Sequence, residues 1–201
     1  MLPTTQAWII DCKPADDWKT FIEYWKGMYH YSSKSKAYDV YVIDRKMPFK
    51  FDSVILRGLF EWKNNTEDKL SEKKVSSVNQ IIDKLEVVNQ LADDWDAKTF
   101  SDSFGKISAI WQVFLMHVIQ PSQFPIFDQH VYRASIYLQT GDIGELKGTT
   151  KQKLNAYKEY QAFFGDVRLA SACDSRNIDK ALWAFGRFIK QYPRLFSKTS
   201  L

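Results

Sequence analysis

The stretch QFPIFDQHVYRAS, Gln123–Ser135, closes an apolar run with Asp128 and sets His130 and Arg133 in the helical pattern that follows. An aspartate in that place is a favoured helix cap. It is also a carboxylate that can steady a developing positive charge or activate an attacking water or amine. His130 and Arg133 sit in or just beyond the first turn, where they read as solvated polar residues. Lys63, near the end of LFEWKNN, offers an amine, although a solvated helix-end lysine is the simpler reading. Spacing alone leaves open whether Asp128 only caps a helix or also does chemistry.

Helices must position these groups. Pro14 and the acids after it begin one, with Trp18, Phe21, Ile22 and Trp25 at helical spacing and Gly27 as the stop. Alternation over Tyr38–Ile43 reads as a short strand. Asp52 caps a helix that turns Leu56, Leu59 and Phe60 inward, and NNTEDK is a turn. Val75, Val78, Ile82 and Leu85 mark one further amphipathic helix. Ile107–Ile119 is apolar nearly all round, which describes a buried central helix too short for a membrane. Further helices are expected over Gln129–Gln139, Lys151–Phe164, Val167–Cys173 and Ile178–Gln191. The fold class is therefore mostly α, with one short strand near 38–43.

The bulk properties are permissive. The 201 residues are 45% hydrophobic and 15% aromatic, enough for a packed interior. A net charge of +4 allows an anionic partner such as nucleic acid without requiring one. Cys12 and Cys173 are too few for a four-thiolate cluster. No HExxH, GxxxxGK[ST] or GxSxG pattern occurs. With no secretory leader and no apolar span, a cytoplasmic protein without membrane contact is expected.

SDSFGKISAIWQVFLMHVI together with FPIFDQHVYRAS resembles the helix-hairpin-helix DNA glycosylases, specifically from Ser103 to Arg133. IDKALWAFGRFIK resembles the final helix of their 8-oxoguanine glycosylase-like bacterial members, and LFEWKNN the end of an early helix that faces DNA. The resemblance implies a two-lobed helical unit over 1–201. A central lobe would span about 53–100 and a second lobe about 101–201, with 1–52 joining them. It implies base excision from DNA carrying a modified purine, with no metal or organic cofactor. Asp128 would be the catalytic carboxylate, with Lys63 as a further catalytic candidate. Gly105, Lys106, His130 and Arg133 would hold phosphates, and Trp62, Trp183 and Phe185 would wall the base pocket. Large aromatics at helical spacing are more often core, and Lys180, Arg187 and Lys190 read equally as a solvated helix face.

Two departures bear on the chemistry. The family hairpin runs close to L-P-G-V-G-x-K-x-A. Here Ser103 takes the place of its first glycine and Ile107 stands where the Schiff-base lysine would be. Lys106 comes one residue early, a turn of about 100° on a helix. The loop before Asp128 is also longer. A monofunctional mechanism using water is therefore expected, without lyase activity. The alternative is a catalytically altered module that recognises a modified base, a nucleotide or a protein partner. Some bacterial proteins of this look are encoded in anti-phage defence operons, so the resemblance also implies an accessory role there as part of this alternative.

Overall fold

The computed structural model describes residues 15–30, 38–46, 48–64 and 70–196. Expectations placed on Cys12, on Pro14 and on most of the NNTEDK turn lie outside these residues. Among the described residues there are nine α-helices and no strand, and no helix is long and apolar enough to cross a membrane.

The first helix, α1 (Trp18–Gly27), is capped by Asp17, which accepts the Thr20 N–H at 2.7 Å. The segment expected as a strand is instead a π-helix, Asp39–Ile43. Its alternation of valine, tyrosine and isoleucine imitates a strand, but among the described residues no strand is present to pair with it. The backbone is satisfied internally, with the Asp44 N–H donating to Asp39 O at 2.7 Å. Tyr38 and Val42, four apart, are thereby buried together while Val40 points outward.

Helix α2 (Ser53–Asn64) starts as expected at Asp52, whose carboxylate accepts the Ile55 N–H. The single helix expected around Val75–Leu85 divides at Asp83–Lys84 into α3 (Glu72–Ile82) and α4 (Leu85–Asp93). A helical hairpin follows: α5 (Ala97–Phe104), then Gly105–Ser108, then α6 (Ala109–Ile119). Beyond Asp128 come α7 (Gln129–Thr140), α8 (Thr150–Ser171) and α9 (Ser175–Gln191). Helix α8 merges the two helices expected there. Gly165 lies mid-helix with open space beside it and does not break the run.

The apolar side chains gather into two cores. Tyr38, Phe51, α2 to α5 and Ile107 build the first. Helices α1, α7, α8 and α9 build the second. Helix α6 serves both, which explains its nearly all-round apolar sequence. Phe114, Leu115, Val118 and Ile119 enter the first core, Val113 enters the second, and Met116 packs against each. Phe104 and Ile107 belong to the first core, and α1 belongs to the second.

Polar ties hold α6 in place. The Arg45 guanidinium donates to the carbonyls of Val118 and Ile119 at its C-terminal end. Gln112, buried, donates to Ile107 O at 2.7 Å and so braces the hairpin. His117 donates from Nδ1 to the Phe124 carbonyl at 2.6 Å, which leaves Nε2 to accept the Tyr38 hydroxyl.

Burial pushes the pKa of His117 down to about 3, against the pull of the Phe124 carbonyl. The unfolded chain therefore binds this proton first. Stability is complete above the ordinary histidine range near pH 6.5 and falls as the pH drops from there toward 3, by up to about 1.4 kcal/mol per pH unit. His117→Gln is expected to lower the melting temperature at pH 7.5 and to flatten the loss between pH 7.5 and 5. An unchanged acid slope in thermal melts would contradict this assignment.

Candidate functional site

Ile126 and Phe127 are consecutive, yet Ile126 packs into the first core and Phe127 into the second. The non-helical chain before α7 thus runs along the seam between the cores. In extended backbone, residues two apart share a side. Asp128, itself extended, follows Ile126 toward the first core.

Asp128 divides its carboxylate. Oδ1 accepts the backbone N–H groups of His130 and Val131 at 2.7 and 3.1 Å, capping α7. Oδ2 lies 3.5 Å from Lys63 Nζ, at ion-pair distance. Lys63 comes from the last turn of α2, across the seam, with its side chain only 10% exposed and its ammonium 5.6 Å from the centre of the Phe114 ring. Burial works against charge on Asp128. Lys63, His130 and the two N–H donors outweigh it and hold the carboxyl below its ordinary range.

A second carboxylate, this one buried, shares the place. Asp179, on the first half of α9, is 6% exposed and lines one small cavity with Asp128, Lys63, Ile126, Tyr29, Trp62 and Trp183. Its Oδ2 accepts from Arg176 at 2.8 Å, while its Oδ1 is buried without a hydrogen-bond partner. Burial raises Asp179 to about 6, Asp128 adds to the rise, and Arg176 and Lys63 oppose it. Arg176 also reaches Asp39 at 3.1 Å and lies over the rings of Tyr29 and Tyr38. Tyr38 in turn stacks on Trp62 with ring centres 4.0 Å apart. The cavity is about 10 Å³, room for one water at most. Its aromatic walls must part before anything of base size can enter.

The candidate residues fall into distinct places. Lys63, Asp128, Trp62 and Trp183 meet at the cavity. His130 is half-buried, its ring edge on Trp183 at 5.2 Å. Burial lowers its pKa, against the attraction of Asp128. Arg133 does not reach the surface: it is 5% exposed and donates to the Gly186 carbonyl of α9 at a long 3.4 Å. Phe185 lies on α9 with Trp183. It packs in the second core against Phe21, Trp25 and Tyr137, because two residues along a helix turn it to the side away from Trp183. Gly105 and Lys106 lie exposed on the α5–α6 hairpin, whereas Ile107 is core. Among the described residues no cluster of three His, Cys, Asp or Glu side chains is arranged for a metal.

Sequence reasoning passed over Asp179, Arg176, Tyr29 and Ile126. One signal was present: Asp179 and Trp183 stand four apart on a helix, hence on one face.

Comparisons with protein-family models, with curated proteins and with solved structures return no match.

Helices α7 and α9 approach closely at Gly186. A Cβ there would lie 1.9 Å from the His130 carbonyl oxygen. Both partners are backbone, so neither can swing aside. Gly186→Ala is expected to destabilise the protein by about 1–3 kcal/mol and to displace the start of α7, which carries Asp128. Thermal or urea unfolding checks it, and a variant as stable as the parent would contradict the packing described.

Proposed function

We propose that this chain is an N-glycosidase that releases a modified purine from DNA by a monofunctional mechanism, with Asp128 as its catalytic carboxylate. The observation that carries the reading is the meeting of Asp128 and Lys63 across the seam, in a cavity walled by Trp62, Trp183 and Tyr29. Cleaving an N-glycosidic bond builds positive charge on the sugar, and a carboxylate already held ionised by its neighbours is preorganised to meet it. Rings suit the faces of a base taken out of the duplex. Lys106 and the exposed hairpin would lie against a phosphate. Lys63 has Asp128 as its partner, which suits a role in holding the carboxylate and not in attacking the sugar.

The closed cavity favours a second reading, a module that recognises a modified base or nucleotide and no longer cleaves it. The two are separated by offering the protein duplexes and single strands that carry modified purines, 8-oxoguanine and deazaguanines included, and detecting free base by mass spectrometry. Release is expected, with a loss of about 10²–10³-fold in Asp128→Asn. Borohydride is expected to trap no covalent DNA adduct. A trapped adduct that disappears in Lys63→Met would replace the monofunctional mechanism with an amine-based one. Absence of release from every substrate, with binding retained, would establish the module instead.

A further inference from the structure

Resting on the glycosidase reading, we infer that Asp179 is a second functional carboxylate of the site, which gives its proton to the departing base while Asp128 stays ionised beside the sugar. Three features of its setting point there. Asp179 is nine-tenths buried and lines the shared cavity, and its Oδ1 has no hydrogen-bond partner. A buried acceptor left unsatisfied is costly, whereas a carboxyl that carries a proton there becomes a donor beside the cavity that Asp179 lines. Its other oxygen is fixed by Arg176, so the carboxyl group cannot turn away.

The surroundings sort the two carboxylates into different states. Asp128 has two backbone N–H donors and Lys63. Asp179 has Arg176 from its own helix, and Arg176 is shared with Asp39 of the π-helix. Lys63 from α2 favours charge on Asp179, while Asp128 from the start of α7 opposes it. Tyr29 after α1, Tyr38 before the π-helix and Tyr160 of α8 each lie close enough to sense its charge, and burial raises all three. Burial then decides for Asp179 and raises it to about 6. Two carboxyl groups driven apart in this way divide into a base-like and an acid-like member.

The step balances. As the C1′–N bond breaks, its electron pair leaves with the purine, and a ring nitrogen of the purine takes the Asp179 Oδ1 proton. Water adds its oxygen to C1′ and gives up one proton, which returns to Asp179. The products are the free base and the sugar hydroxyl, and the protein is unchanged.

The test compares two classes of leaving base. An N7-methylated guanine already carries a positive charge and departs without a proton, whereas 8-oxoguanine and deazaguanines depart neutral and need one. Asp179→Asn keeps the shape of the side chain and removes the transferable proton. It is expected to lose about 10²–10³-fold in turnover on the neutral-leaving bases and clearly less on the methylated base, with a cooperative thermal melt showing that it is folded. On neutral-leaving bases the parent should lose activity as the pH rises through about 6, and the variant should lack that limb. Equal release by variant and parent on both classes at all pH values would overturn the role of Asp179 and leave that of Asp128 standing. Equal loss on both classes would make Asp179 a structural residue and also overturn the inference. Absence of release of either class by the parent would overturn the glycosidase reading and this inference with it.

Discussion

Asp128 gives one carboxylate oxygen to the first amides of α7 and the other to Lys63 on the opposite side of the seam. That division is the constraint from which the rest of the site follows. Capping fixes where the carboxylate stands, because the two N–H donors leave Oδ1 little freedom. The ion pair fixes its charge, because Lys63 and His130 oppose the penalty of burial. An aspartate that only capped would need no buried ammonium opposite, and an isolated buried ammonium would be costly without it.

Everything around the pair keeps it enclosed and aligned. Helix α6 enters both cores and holds the two lobes as neighbours. Its own position depends on polar ties, with Arg45 at one end, Gln112 at the other and His117 facing Tyr38. Tyr38 closes onto Trp62, and Arg176 joins Tyr38, Tyr29, Asp39 and Asp179 into one cluster beside the cavity. Gly186 lets α9 touch the backbone of His130, so the helix carrying Asp179 and Trp183 lies close to the helix that Asp128 begins. The result is a tightly closed charged and aromatic cluster.

Much of the scaffold was legible from local pattern. The central helix showed in its all-round apolar character, and the caps at Asp52 and Asp128 showed in residue type and place. The π-helix was not legible, because DVYVI carries strand-like residues. The site was legible in part. Asp128, Lys63, Trp62 and Trp183 were singled out through the resemblance, but nothing in their spacing could show that they meet, since the contact spans the seam. That Phe185 lies in the second core and Arg133 is buried against α9 was not legible, because helix rotation and depth are not read from residue type. Asp179 was hidden among the polar residues of α9, where one acid looks like any solvated position.

The most direct measurement of the account is the stability coupling between Lys63 and Asp128. Lys63→Met and Asp128→Asn would be made singly and together and unfolded in urea. Asparagine still caps a helix, so the cycle isolates the ion pair. The account requires a favourable coupling of at least about 0.5 kcal/mol. Single changes that simply add would show that the two groups do not act on each other, and the site as described would not exist.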